Sequence, residues 1–211
     1  MRNLSTLGAC FFATLAAALP ASAAAAQAAP AKADAAAPGP VFTADGKLMF
    51  PSGYRSWIYL STGLDMSYVP GADPAKHYFS SVFVNPKAYA VFQKSGHWPE
   101  NTIMVLEVRD AQSKGSINKS GMFQTGIANL EVHVRDSARF SSGWGFFGFN
   151  EVAGPAKALP QTSVCDVCHE QHGAVDTTFV QFYPTLLPLG RDFKSLSAAY
   201  VAEAEGRPAQ P

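Results

Sequence analysis

Two closely spaced cysteines constrain this chain most, because a histidine follows them directly. They occur in the run Cys165-Asp166-Val167-Cys168-His169, and the remaining cysteine, Cys10, lies near the N-terminus. The spacing places two thiols about one helical turn apart, where they can reach the two vinyl groups on one edge of a porphyrin. His169 can then bind the iron from the same side. The motif therefore predicts one haem c per chain, attached through Cys165 and Cys168, with His169 as the axial ligand.

Three other interpretations of the motif are open. The two cysteines could form a redox dithiol, although such motifs start a helix after a strand, and no strand is evident here. They could form a local disulfide, which would leave His169 unexplained. Together with His172 they could bind zinc, although zinc sites usually take their second pair of ligands from farther along the chain.

The first forty residues contain 17 alanines and predict an exported protein. Arg2 precedes an apolar stretch, and small residues then offer cleavage sites, so residues 1–23 are predicted to be a signal peptide and the protein to be periplasmic. Residues 24–40 are rich in Ala and Pro and predict a disordered tether. Residues 41–211 form the predicted haem domain, and no later apolar stretch is long enough for a membrane span.

The charge balance excludes some classes of partner. The chain has 16 Lys and Arg against 16 Asp and Glu, a formal net charge of zero. Without a basic excess, a general nucleic-acid role has no electrostatic basis. Because 23 of the 25 aromatic residues follow residue 40, that part of the chain is too apolar to be disordered.

Five segments predict an antiparallel sheet with one buried face. The clearest alternates Ala128, Leu130, Val132 and Val134 with polar residues, a period of two. The five predicted strands are Ser56 to Leu60, Tyr78 to Val84, Thr102 to Arg109, Ile127 to Arg135 and Trp144 to Phe149.

Helices are predicted to flank this sheet, which makes the fold class α+β with the haem attached near the C-terminus. One is marked by Asn85 as cap, Pro86 in the first position and Gly96 just past the end. Three others are predicted: over the cysteine motif from Thr162 or Ser163 to Gly173, from a cap at Asp176 to Pro184, and from Phe193 to Ala204.

The stretches that carry a family resemblance, besides the cysteine motif, are Tyr54-Arg55-Ser56-Trp57, Phe83 to Tyr89, Leu130 to Phe140, Gly143 to Phe147 and Phe179 to Pro184. Their order and spacing span about residues 45–190. In these stretches the chain resembles the cytochrome P460 family, which includes the cytochromes c′-beta.

The resemblance implies a mainly antiparallel sheet with flanking helices, a homodimer and one haem c per chain. It also implies an iron with His on one side and an open, pocketed site on the other. Members that oxidise hydroxylamine are described as carrying a lysine cross-linked to the porphyrin, together with a pocket carboxylate for proton transfer.

This chain departs from the hydroxylamine oxidisers at the cross-linking lysine. The alignment puts that position at Leu106, and no Lys occurs between Lys94 and Lys114. A leucine has no nucleophilic nitrogen, so the cross-link cannot form. The resemblance therefore favours the c′-beta members, which bind small gases such as nitric oxide in an apolar pocket.

Leu106, with Met104 and Val108, is predicted to wall the pocket on the open side of the haem. A pocket poor in hydrogen-bond donors excludes water and favours neutral diatomic ligands. For each of these side chains, ordinary packing within the sheet is the alternative.

Four other histidines are candidates for a sixth iron ligand. His133 lies on the polar face of its strand, so we expect it to be solvated. His172 lies on the same side as His169, where the porphyrin would block it. His77 and His97 fall in loops, and either remains a candidate for the sixth ligand.

Charged residues near the motifs receive weaker assignments. Arg55 and Arg135 could pair with haem propionates, and we favour ordinary surface charge for each. Glu107, Glu131 and Glu170 are the nearest acids, and none is given a catalytic role.

Two functions follow as hypotheses. The first is an exported haem c protein that binds nitric oxide or a related small nitrogen or gas ligand. The second is an oxidoreductase that oxidises hydroxylamine and passes electrons to a soluble cytochrome. Plain electron transfer would require a sixth ligand.

Overall fold

A five-stranded antiparallel sheet forms the centre of the computed structural model, which describes residues 39–68, 73–149 and 154–206. The predicted signal peptide over residues 1–23 lies outside the described residues, as does the tether except for residues 39 and 40. Each strand pairs with its neighbour in the chain. The strands are β1 (Ile58–Leu64), β2 (Tyr78–Val84), β3 (Ile103–Gln112), β4 (Phe123–Arg135) and β5 (Trp144–Phe149).

Helices accompany the sheet, so the α+β class is confirmed. They are α1 (Pro86–Ser95), α2 (Val164–His172), α3 (Leu187–Asp192) and α4 (Ala198–Ala204), with short 3-10 helices at Tyr54–Ser56 and Val180–Phe182. None of the helices within the described ranges has the length and apolar character needed to cross a membrane.

Both faces of the sheet are covered, which corrects the prediction of a single buried face. On one face, here called the core face, strand residues such as Val105, Val132 and Phe147 pack with Tyr54. On the other, here called the site face, strand residues pack with residues from the helices and the C-terminal segment. The buried members of this second cluster include Leu60, Val84, Phe92, Trp98, Met104, Trp144, Phe146, Val175 and Leu186.

Helix α1 has the predicted bounds, but Asn85 acts differently from the prediction. Its side chain makes no capping hydrogen bond to the helix. Instead, its Oδ1 accepts from the Ile103 N–H at 2.9 Å, and its Nδ2 donates to the Asn101 carbonyl at 3.1 Å. Gly96 ends the helix in the left-handed conformation, with φ of 72°. Asn85 therefore ties the start of α1 to the start of β3.

The predicted helix from Asp176 to Pro184 is wrong. Asp176 and Thr177 have φ of 46° and 56°, a left-handed conformation that cannot begin a right-handed helix. The segment instead forms an isolated bridge between Val175 and Thr178, followed by one 3-10 turn. The terminal helix is also shorter than predicted: it begins after Ser197, whose side chain accepts from the Tyr200 N–H.

A buried carboxylate joins the first 3-10 helix to β3 on the core face. Glu107, whose side chain is 5% exposed, accepts from the Tyr54 hydroxyl, from Arg55 at 2.5 Å and from Arg109 at 2.5 Å. Burial by itself raises the pKa of Glu107, but the hydrogen bonds from Arg109, Tyr54 and Arg55 outweigh it and hold that pKa below its usual range. The carboxylate is therefore ionised at neutral pH.

Replacing Glu107 by Gln should destabilise the protein by about 2 kcal/mol at pH 7, because hydrogen bonds to charged groups each contribute roughly 1.5–3 kcal/mol. A carboxyl whose pKa is lowered by folding stabilises the protein above its unfolded pKa and loses that effect as the pH falls. Urea unfolding should therefore show a smaller difference from the wild type in acid.

Glu100→Gln is the control, since the Glu100 side chain is half exposed. We expect it to cost less than about 1 kcal/mol. An equal loss for Glu107→Gln at pH 7 and in acid would contradict an ionic origin.

Candidate functional site

An open cavity of about 280 Å³ lies on the site face of the sheet. Its walls come from β1 to β4, from α2, and from loops before β2 and after α2. The lining residues are Ser61, Gly63, Met66, Tyr68, Ser80, Val82, Met104, Leu106, Glu131, His133, Val164, Cys165, Cys168, His169, Phe179, Phe182 and Tyr183. All four residues predicted for the site, Cys165, Cys168, His169 and Leu106, therefore meet at one cavity.

Helix α2 presents the cysteine motif to this cavity. Ser163 is its N-cap, and the side chain accepts from the Asp166 N–H. Cys165 and Cys168 follow within the helix, and both are free thiols. Burial, with the negative charge of Glu131 adding to it, raises the pKa of Cys165, so this thiol stays protonated at neutral pH.

The ring of His169 has a defined tautomer. Its Nδ1 lies 2.7 Å from the carbonyl oxygen of Thr177. Because a carbonyl can only accept, Nδ1 carries the proton and Nε2 keeps its lone pair. This is the form in which a histidine binds a metal through Nε2 while its other nitrogen donates to a backbone carbonyl.

Three rings surround the His169 imidazole. The ring centroids of Phe179, Phe146 and His133 lie 4.2, 4.8 and 4.9 Å from that of His169. Burial, and then repulsion from His133, lowers the pKa of His169 to about 3. The imidazole is therefore neutral at physiological pH and available as a ligand.

His133 is not solvated as predicted. It lines the cavity with a side chain only 13% exposed, and its ring contacts both Phe146 and His169. The alternation in β4 correctly groups Glu131 with His133 on one face. That face was expected to meet water, whereas α2 and the segment after it cover it.

Glu131 was not identified as a site residue from the sequence. It lines the cavity, its Oε1 accepts from Asn129 at 2.9 Å, and its Oε2 lies 4.0 Å from Nε2 of His133. The His133 imidazole, more than the Asn129 amide, lowers the pKa of Glu131, and this outweighs its burial. Its position one residue past Leu130 on the polar face of β4 is the sequence signal that could have found it.

The sheet supplies apolar walls beside this carboxylate. Leu106 lies directly between Val82 on β2 and Glu131 on β4 in the strand register. Leu106, Met104 and Val82 line the cavity, whereas Val108, also predicted there, is not among the lining residues. The wall next to the carboxylate is therefore aliphatic.

The other histidines are engaged elsewhere. Nδ1 of His77 lies 2.7 Å from Asp65, that of His97 3.0 Å from Asp176, and that of His172 3.2 Å from Glu203. None of the three lines the cavity. Within the described part of the chain, no group of three or more His, Cys, Asp or Glu side chains is placed to hold a metal ion.

The arginines considered for propionates do not line the cavity either. Arg55 pairs with Glu107 on the core face, at 2.5 Å. Arg135 lies near Glu100 and Asp176, at 3.5 and 3.7 Å, with its guanidinium over the Trp144 ring. Ion pairing within the protein is the role that the structure assigns to both.

A family model described as Cytochrome P460 matches residues 51–180, which is more than half of the 211 residues. The match includes β1 to β5, the whole of α2 and the Thr177 carbonyl. No curated protein matches the chain.

Removing the N-cap of α2 should loosen the helix that carries the motif. We expect Ser163→Ala to lower the free energy of unfolding by about 1 kcal/mol, measured by urea unfolding of the haem-free protein. Thr162→Ala is the matched control, because the structure makes Ser163 the cap. Equal losses in the two variants would contradict this assignment.

Proposed function

The chain belongs to the cytochrome P460 family, which implies a haem cofactor, and from this premise we propose that it is an exported haem c protein. In this proposal one haem per chain is attached through Cys165 and Cys168, and His169 is the axial ligand. The opposite side of the haem is open and takes nitric oxide or a related small nitrogen or gas ligand. One observation carries the proposal: both thiols and the neutral His169 imidazole line the same apolar cavity.

The residues present fit this group. The two free thiols can each add across a vinyl group to form a thioether, and α2 spaces them by one turn. His169 keeps the lone pair on Nε2 because Nδ1 donates to Thr177. When bound, the haem supplies the iron coordination position at which a small ligand binds.

The walls of the cavity support a neutral ligand. Leu106, Met104 and Val82 present no hydrogen-bond donor to the cavity that they line. Oxygen activation usually needs a donor near the iron, whereas a neutral diatomic gas does not. Leu106 also lacks the nitrogen required for a cross-link to the porphyrin.

Glu131 favours a second candidate function, the oxidation of hydroxylamine with electron transfer to a soluble cytochrome. Its carboxylate lines the cavity, and its lowered pKa keeps it ionised at neutral pH. An ionised carboxylate in this place can accept a proton from a bound nitrogen compound. Glu131 favours this candidate function because it is an available base, whereas Leu106 disfavours it because it cannot form the cross-link to the porphyrin.

Two further parts of the proposal rest on sequence. Export to the periplasm is supported by residues 1–23, in which Arg2 precedes an apolar stretch that ends in small residues. The family resemblance supports a homodimer.

Replacing both Cys165 and Cys168 by Ala should abolish covalent haem attachment, because no thiol then remains beside the cavity to form a thioether. Haem absorbance that follows the denatured polypeptide measures attachment. Each single variant is the control, and it should keep one thioether. Covalent haem in the double variant would contradict the attachment site.

The absorption and EPR spectra of the purified protein should show five-coordinate, high-spin ferric haem with an ordinary Soret band. The ferrous protein should bind added nitric oxide. A strongly red-shifted band from an extra covalent bond would contradict the role of Leu106. A six-coordinate, low-spin spectrum would favour electron transfer, with Met66 and Met104 as the cavity thioethers to replace first.

Glu131→Gln separates the two candidate functions. If the protein only binds a gas, we expect no hydroxylamine oxidation in the wild type, and a similar nitric oxide affinity in the variant. If it is a hydroxylamine oxidase, the variant should lose roughly 10²–10⁴-fold in turnover, the contribution typical of a general base. Glu170→Gln is the control, since Glu170 does not line the cavity.

A further inference from the structure

The carbonyl that accepts from His169 belongs to an unusual stretch of backbone. Thr177 and the residue before it, Asp176, both have left-handed φ, of 56° and 46°. Non-glycine residues seldom adopt this conformation, and a β-branched residue such as Thr does so least readily. Two such residues in succession persist only where surrounding contacts hold them.

The carboxylate of Asp176 provides one such contact. Its Oδ2 accepts from the backbone N–H of Trp98 at 2.8 Å, and its Oδ1 lies 3.0 Å from Nδ1 of His97. Arg135 adds a positive charge, with Nη1 3.7 Å from Oδ2. The Asp176 side chain is 16% exposed, so these bonds are only partly open to water.

The side chain of Trp98, in the loop after α1, provides a second contact. Its Nε1 donates to Oγ1 of Thr178 at 2.9 Å, and that hydroxyl donates to the Val175 carbonyl at 2.7 Å. Trp98 is itself 2% exposed and packs on Phe92 of α1. The bonds of Asp176 and Thr178 to Trp98 therefore hold residues 175–178 against the core. These three residues are together called the Asp176 clamp.

Gly173 closes the arrangement from the other side. A Cβ on Gly173 would lie 2.6 Å from the carbonyl carbon of Thr177 and 2.7 Å from its Cα, and also 2.6 Å from the carbonyl oxygen of His169. Its φ of −66° is open to any residue, so the need for glycine here is steric. The backbone of Thr177 thus lies directly against the end of α2, one turn after His169.

We propose that Asp176 is a positioning residue for the axial ligand. The Asp176 clamp and Gly173 together place the Thr177 carbonyl within hydrogen-bond distance of Nδ1 of His169. This role rests on the proposed function of His169 as the axial ligand. That hydrogen bond selects the tautomer, orients the ring and increases the electron donation of Nε2 to the iron. Asp176 acts on the iron without touching it.

Two spectroscopic quantities test this in the haem-loaded, full-length protein. The iron–histidine stretching band of the ferrous protein, measured by resonance Raman, falls when the Nδ1 hydrogen bond weakens. The reduction potential rises, because a weaker donor stabilises ferric iron less. A purely structural role for Asp176 would lower stability without moving either quantity.

Asp176→Ala should shift the band to lower wavenumber and the potential to more positive values, while the haem stays covalent. Gly173→Ala should shift both in the same direction, because the added methyl would press on the backbones of both Thr177 and His169 and so weaken the hydrogen bond between Nδ1 of His169 and the Thr177 carbonyl. Asp176→Asn keeps an acceptor for the Trp98 N–H, so its iron–histidine band should lie close to the wild-type wavenumber. If Asp176→Ala does not fold, Asp176→Asn and Gly173→Ala decide the question.

Asp65→Ala is the matched control. Asp65 also has a left-handed φ, of 55°, and its carboxylate likewise accepts from a backbone N–H, that of Tyr78 at 2.9 Å, beside a histidine, His77 at 2.7 Å. Neither Asp65 nor His77 is among the described residues that line the cavity, so the iron–histidine band of Asp65→Ala should match that of the wild type. An equal shift in Asp65→Ala would overturn the positioning role.

The test also separates this inference from the proposed function. A wild-type band that neither Asp176→Ala nor Gly173→Ala moves would remove the positioning role and leave His169 as the ligand. The absence of any iron–histidine band in a wild-type protein whose ferrous haem is five-coordinate and high-spin would remove the ligation by His169 and the positioning role with it.

Discussion

The register between β3 and β4 decides which side chains line the cavity. Leu106 pairs with Glu131, and Met104 pairs with His133, so four residues of the site lie in two cross-strand pairs that are neighbours on the site face. Because side chains alternate along a strand, a slip of β4 by one residue would turn Glu131 and His133 toward the core face. The core face opposes such a slip, since it would bring Glu131 among apolar side chains of the neighbouring strands such as Val105 and Phe147.

Separate parts of the chain supply the different groups of the site. Helix α2 carries both thiols and the imidazole, while the sheet supplies an aliphatic wall with one carboxylate. The segment after α2 contributes the carbonyl that sets the His169 tautomer. Because burial keeps this imidazole neutral, its lone pair is available to a metal without the loss of a proton.

The sequence predicted local features well and long-range surroundings poorly. The cap residue Asn85, Pro86 and Gly96 mark α1 with the observed bounds, because helix ends depend on nearby backbone groups. The alternation in β4 correctly put Glu131 and His133 on one face, but it could not show that other elements cover that face. The left-handed φ of Asp176 depends on Trp98, 78 residues away in the chain, so helix-cap rules misplaced a helix there.

The sequence by itself therefore determined the chemistry that short segments contain. Two thiols and a histidine within one turn of helix predict a covalently attached haem, and a leucine at position 106 cannot itself form a cross-link because it has no nitrogen. Only the tertiary structure decided what surrounds these groups. The partners of His169, from Thr177 to His133 and Phe146, come from different elements, and packing between those elements, rather than local backbone preference, brings them together.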